Sequence, residues 1–294
     1  LREQKYTPYL FISPFFLLFT LFSVGPLVYA LYMSFNRIES FAQAPEFVGL
    51  RQYINILTDP RFHRSLLNIF TYTVVAVSFT LAISLLLANL LNVRLPGRVV
   101  YRSAYFLPVV TSLVAAGIFF RLILAERVGI LNEILRSFGL PSYRWLNDPK
   151  LMMPSLIVVT TWRSFGFFLV IFLAAIQNIP SELYDASRVD GASITQTLFR
   201  ITLPLLFPTI FFCIVTATIG SIQLFDEPYV LFTAQGGVPP RDEVITPAIY
   251  LYNSAFQQFR FGKAAAVGFI VSLIIFILTL AQVRIMGRRG GFST

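Results

Sequence analysis

Six stretches of the chain are apolar almost without interruption: about 9–35, 66–91, 104–124, 154–176, 203–233 and 264–283. Each matches or exceeds the roughly 20 residues that a helix needs to cross a hydrocarbon core. None shows the two-residue alternation of a barrel strand. In lipid every backbone polar group must be satisfied within a helix or a closed barrel, so these stretches predict helices. The expectation is an all-α membrane protein with six transmembrane helices in a single domain, 1–294. Pro14 and Gly25-Pro26 are expected to break the first span. That run is too long for a signal-peptide core and lacks a small-x-small cleavage site, so a retained span is expected, with an initiator segment ahead of Leu1.

One polar stretch interrupts the apolar pattern, Pro180 to Pro208, and its first part predicts a helical hairpin over 180–202. Pro180 suits a first helical turn, Asn178 or Ser181 can cap it, and Gly191 suits the reversal between two short helices. Leu183, Ala186 and Val189 give the first helix an apolar side, and Glu182, Asp185, Arg188 and Asp190 surround it with charge. Such a hairpin reads equally as a solvated amphipathic loop or as a knob for a partner's socket. The connections around 47–53 and 145–149 mix aromatics with turn residues and predict short interfacial helices or turns.

Two spans carry polar residues at helical spacing. In the fourth, Thr160, Arg163, Ser164 and Phe167 fall at i, i+3, i+4 and i+7 and share a face. An arginine at that depth costs about 2.5–3.5 kcal/mol on insertion scales, so it needs a partner or a wet cavity. In the fifth, Thr216, Gly220, Gln223 and Glu227 share a face with Asp226 beside it. Two readings stand: a hydrated substrate path, or close packing at the small residues with Arg163 paired to Asp226.

Composition agrees with the membrane class: 56% of residues are hydrophobic, 13% are charged and 31 are phenylalanine, with a mean hydropathy of +0.72. A soluble domain carries roughly 25% charged residues. The net charge of +9 does not point to nucleic acid, because its basic residues are scattered along loops. Arg2 and Lys5, then Arg94, Arg98 and Arg102, then Arg284, Arg288 and Arg289 fall on the same side as the hairpin if six spans are counted. The positive-inside rule then places both termini and the hairpin in the cytoplasm. Cys213 and His63, one of each type, exclude an internal disulfide and a zinc cluster; Cys213 is expected to pack and His63 to lie in a loop. Gly262-Lys263 lacks the spacing and hydroxyl of a phosphate loop, so no cofactor is expected on this chain.

The run Glu182-Leu183-Tyr184-Asp185-Ala186-Ser187-Arg188-Val189-Asp190-Gly191-Ala192, with Phe199, Ile201, Leu203-Pro204 and Pro208 behind it, resembles the EAA loop of ABC importer permeases. Phe47 to Tyr53, Leu107-Pro108, Trp145 to Pro149, Gln177 to Pro180 and Gly236-Gly237 extend the likeness over nearly the whole chain. They narrow it to carbohydrate-uptake permeases of the maltose and glycerol-phosphate type. The resemblance implies that the hairpin is a coupling helix, with Glu182, Asp185, Ala186, Ser187, Asp190, Gly191 and Ala192 docking into an ATPase subunit. It also implies two such ATP-binding subunits holding ATP and magnesium, a second similar permease, an external solute-binding protein and a plasma-membrane location. Its sugar-contact positions fall on Thr160, Arg163, Ser164, Phe167 and Gln223, and Asp226 is kept beside them on the path. The sequence departs from the family in having Asp185-Ala186-Ser187 where Glu-Ala-Ala is usual. A sugar importer permease is the leading expectation. An importer of an anionic glycerol-phosphate-type solute and a non-transporting scaffold or sensor are the alternatives.

Overall fold

The computed structural model describes residues 6–38, 45–92, 97–233 and 241–287, without the side chains of Arg98, Val99 and Gly287. Arg2, Lys5, Arg94, Arg288, Arg289 and Gly236-Gly237 therefore lie outside the described residues, as does the Arg98 side chain. The chain divides into two compact units, Leu1–His63 with Pro247–Leu273, and Arg64–Thr246 with Ile274–Thr294.

The first unit begins with α1, Thr7–Ser34, long and apolar enough to cross a membrane. The expected breaks at Pro14 and Gly25-Pro26 do not occur. Instead Thr20–Val24 forms a π-turn in which the Gly25 N–H reaches back to the Thr20 carbonyl. Pro26 has no N–H to give, and a shifted hydrogen-bond register absorbs the loss without ending the helix. No residue of the most apolar window of α1 is buried within the chain, so this helix leaves its side chains to lipid or to another subunit. A two-residue antiparallel ladder, β1 (Asn36–Arg37) with β2 (Glu46–Phe47), leads to the short α2, Arg51–Leu57. Tyr53 of α2 donates its hydroxyl to Ser34 Oγ at 2.7 Å, tying α2 to the end of α1.

The 32-residue α3, Pro60–Leu91, starts at the edge of this unit and supplies the second span. His63 stands in its first turn rather than in a loop. The second unit continues with α4, Arg98–Val110, and α5, Leu113–Ile123, which meet at 96°. The third apolar run, 104–124, is therefore a bent pair and not one straight helix. Pro108 withdraws a donor from the last turn of α4, the Thr111 hydroxyl takes the Leu107 carbonyl at 2.8 Å, and Thr111 and Ser112 are extended. Next come α6, Ile130–Ser137, and α7, Pro149–Gln177. Buried Asn132 of α6 donates to the carbonyls of Ala125, Glu126 and Tyr143 and accepts from Trp145 Nε1 at 2.9 Å. The connection containing Trp145 is thus a turn pinned from within, and Asp148 caps α7 by accepting from the Lys150 N–H.

After α7 follow α8, Ser181–Val189, and α9, Ile194–Ile222, which passes through a π-turn at Leu198–Thr202 just before Pro204. The fifth run, read as one span over 203–233, stops at Ile222 and resumes as α10, Asp226–Phe232. In the first unit α11, Pro247–Tyr252, precedes α12, Phe261–Gly287, whose last turns belong to the second unit.

The second unit is built around α7. Half of its most apolar window is buried, against 28% or less in every other candidate span. Its Phe168, Leu169, Phe172, Leu173 and Ile176 pack with Leu81, Ala88, Leu91, Leu206 and Cys213 in one core. Leu156 and Val159 join Ile69, Tyr72, Ala76, Leu124, Leu224 and Leu231 in the other. Gly166 is the crossing point with α4, since a β-carbon there would overlap the Tyr105 carbonyl oxygen. Gly166→Val is therefore expected to cost at least about 1–3 kcal/mol, as overpacking does. The check is a lower thermal midpoint of the purified protein in detergent, with Gly220→Ala, where no atom lies near and the backbone is helical, as a control for handling.

Candidate functional site

The break between α9 and α10 builds the site. Gln223, Leu224 and Phe225 leave the helix inside an apolar segment, and non-helical backbone at such depth is tolerated only where protein or a wet cavity satisfies it. Here Thr246 Oγ1 donates to the freed Leu224 carbonyl at 2.8 Å. Asp226 and Glu227 occupy the first turn of α10, where the positive end of a helix dipole favours carboxylates.

Facing this break is a cavity of about 380 Å³. Tyr72, Ala76 and Thr80 of α3 line it on one side, with Thr160, Arg163, Ser164 and Phe168 of α7 on another. Thr216, Gly220 and Ser221 of α9, then Gln223, Phe225, Asp226 and Glu227, complete the wall. Arg163 Nη1 binds Glu227 Oε1 at 2.6 Å, with 30% and 13% of the two side chains exposed. Its partner is therefore Glu227 and not Asp226. Both acids open α10, and Glu227 continues the face through Thr216, Gly220 and Gln223, which brings it towards α7. Arg163 Nε is buried and has no partner among the described residues.

Thr160, Arg163, Ser164, Gln223 and Asp226 are brought together in this cavity. Phe167 is not: it is 43% exposed, and the next residue, Phe168, is buried in the core and closes the cavity on α7. The aromatic surface comes instead from Phe168, Tyr72 and Phe225, whose ring stacks on Tyr229 with centroids 5.1 Å apart. Tyr72 and Thr80 were missed from the sequence, although Tyr72, Ala76 and Thr80 at i, i+4 and i+8 mark one face of the second span. Gly220 does not serve close helix packing, since nothing lies within 4 Å of where its β-carbon would be. It leaves room in the cavity.

Beyond the C-terminus of α7 the hairpin forms a second feature. Pro180, without a side-chain cap, precedes α8. The helix ends in a left-handed Gly191 (φ 70°), with Ala192 N–H bonded to the Ser187 carbonyl and Gly191 N–H to that of Arg188. This paired closure needs the αL conformation that glycine adopts most easily. Ser193 then caps α9 in a reciprocal box with Gln196, a signal present in the sequence as S-x-x-Q. Glu182, Asp185, Ala186 and Asp190 are exposed, and Val189 and Ile194 stand out at the tip at 88% and 84% exposure. Ser187 points the other way. It is buried, donates to the Tyr184 carbonyl at 2.8 Å and lies 3.4 Å from Thr197 Oγ1. Asp185 pairs with Arg188 at 3.2 Å in the open.

Glu227→Gln is expected to destabilise the protein, because Arg163 then stays charged and unpaired in the cavity wall; breaking a buried pair costs about 3–5 kcal/mol, and the partial exposure here argues for the low end. Arg163→Met combined with Glu227→Met should recover most of that loss. A thermal-shift series on the three proteins measures it, and a double variant no better than the single one would mean the pair is not a unit.

The sequence profile of the binding-protein-dependent transport system inner membrane component matches residues 6–289. The arabinooligosaccharides transport system permease protein of Halalkalibacterium halodurans is 38% identical, over 97% of this chain and 89% of its own length. The lactose transport system permease protein of Rhizobium radiobacter is 32% identical over 96% of this chain and 94% of its own. The trehalose/maltose transport system permease protein of Thermococcus litoralis is 31% identical over 95% and 92%. A crystal structure of a bacterial ABC transporter involved in alginate import superposes with a TM-score of 0.85 over 99% of this chain and 98% of that one, at 23% identity, which speaks for the fold. The chain belongs to the binding-protein-dependent inner membrane components, the multi-pass permease subunits of ABC importers.

Proposed function

We propose that this permease carries a neutral sugar or oligosaccharide from an external binding protein to the cytoplasm, through the cavity around Arg163. The observation that carries the reading is the charge balance of that cavity. Arg163 is answered by Glu227, which leaves Asp226 in excess, so the lining repels an anionic glycerol-phosphate-type solute. Hydroxyls of Tyr72, Thr80, Thr160, Ser164 and Thr216, the Gln223 amide and the rings of Phe168 and Phe225 suit a polyol with apolar ring faces. The relatives named for arabinooligosaccharides, lactose and trehalose/maltose support the same solute class.

The rest of the machine follows by analogy with the family. The α8 hairpin docks into a cytoplasmic ATPase subunit through its exposed tip, two such subunits hold ATP and magnesium, and a second permease completes the membrane part. Both termini and the hairpin face the cytoplasm, as the positive-inside rule expects. Within the family's Glu-Ala-Ala motif, Asp185 meets the socket with a shorter acidic arm, whereas the Ser187 hydroxyl is spent inside the hairpin.

The reconstituted complex with its binding protein should hydrolyse ATP faster with one or more neutral sugars of a panel, and not with phosphorylated polyols. Stimulation by the phosphorylated compounds alone would move the assignment to an anionic solute, and no stimulation by any solute would favour a scaffold. Gly220→Phe should fill the open space and lower uptake at least tenfold while the assembled complex still purifies. Gly191→Pro should abolish sugar-dependent ATPase, because proline cannot adopt the positive φ or donate the N–H that closes the hairpin. Full uptake by that variant in proteoliposomes would remove the coupling role.

A further inference from the structure

Where α1 ends and α12 begins, the first unit holds a second cleft of about 280 Å³, quite different in charge. Its walls include Arg37 of β1, Glu46 of β2, Arg51 and Asn55 of α2, Arg260, and Lys263 of α12. Lys263 is already held by Asp59 at 3.2 Å and lies over the Tyr250 ring at 4.9 Å. Among the described residues that line the cleft, Arg51 and Arg260 make no ion pair, and the acidic side chain there is Glu46. The fold fixes this geometry firmly. A β-carbon at Gly262 would overlap the Asn36 carbonyl oxygen, and the Phe261 N–H bonds the Ile38 carbonyl at 3.1 Å. Arg260 follows Phe259, a residue held at φ 54° with its ring 58% exposed.

The same short elements leave large apolar side chains in the open. Phe47, Leu50 and Ile54 are 76%, 62% and 59% exposed. The cleft also sits at the ends of two membrane helices, Ser34 closing α1 and Phe261 opening α12, which is the depth of lipid headgroups. On the orientation proposed above these arginines lie on the outer side, where topology does not call for positive charge. A cationic pocket with exposed apolar neighbours at that depth matches a phospholipid, with a phosphate beside hydrocarbon, better than it matches a soluble anion.

We propose that this cleft is a binding site for the phosphate of an anionic phospholipid, held by Arg51 and Arg260 with Asn55 beside them. The acyl chains then lie along the exposed apolar edge of α2. The test uses the purified complex with its ATPase subunits in nanodiscs of phosphatidylcholine with a minor share of phosphatidylglycerol. Lipid retained after exchange into detergent is read by native mass spectrometry. The wild-type complex should retain phosphatidylglycerol above its share. Arg51→Gln with Arg260→Gln should lower that enrichment about fivefold per cation removed, and Arg51→Lys should keep most of it. Wild-type complex without enrichment overturns the proposal with no variant needed, and so does equal retention by the double variant. Displacement of the lipid by millimolar glycerol phosphate would reassign the site to a soluble anion. If the double variant keeps the lipid but binds the external solute-binding protein more weakly in pure phosphatidylcholine, the cleft is a protein-docking surface instead.

Discussion

The interior of this protein depends on placing one arginine where bulk water does not reach freely. Arg163 stands half-way along the most buried span, and its charge is tolerable because Glu227 meets it from another element. That meeting requires α9 to stop. If the fifth apolar run continued as one helix past Ile222, the carboxylates and the carbonyls of the break would have no place in the wall. The interruption, the ion pair and the cavity are therefore one arrangement, and Thr246 satisfies the Leu224 carbonyl that the break frees.

The six apolar runs were legible because lipid leaves a chain so few options, and the helical periodicity of polar positions named about half of the cavity wall. What stayed hidden depended on geometry between segments. The bend at Thr111 and Ser112 follows from local hydrogen bonds that hydropathy does not register. Periodicity put Glu227 on the shared face and Asp226 beside it, yet Asp226 was read as the partner, and the structure pairs Arg163 with Glu227. Phe167 fell on the right face by spacing, but periodicity does not say how deep a cavity goes. Ser187 posed the reverse problem: as a departure from a motif it drew attention, and its hydroxyl turns out to be directed inward.

In the first unit polar groups are used differently. Burial acts against ionisation of Asp59, yet hydrogen bonds from Tyr250 and the Arg61 N–H, with Lys263 alongside, hold its carboxyl below the ordinary range. Its contribution to stability is complete at neutral pH and is lost as the pH falls below the ordinary carboxylate range and through that lowered one. Tyr250 is correspondingly pushed above the usual phenol range by burial and by that carboxylate. The cluster joins Asp59, at the foot of α3, to Tyr250 of α11 and Lys263 of α12 within the unit.

The hairpin lies between α7 and α9, and both of these helices wall the cavity. From Arg163 to Gln177 the backbone of α7 is uninterrupted, a rise of about 21 Å at 1.5 Å per residue. The second arm reaches Gly220 through α9, whose π-turn at Leu198–Thr202 gives it a looser coil near the hairpin. The hairpin is thus the one short joint between two cavity walls, reached by an unbroken α-helical register on one side and by a shifted register on the other.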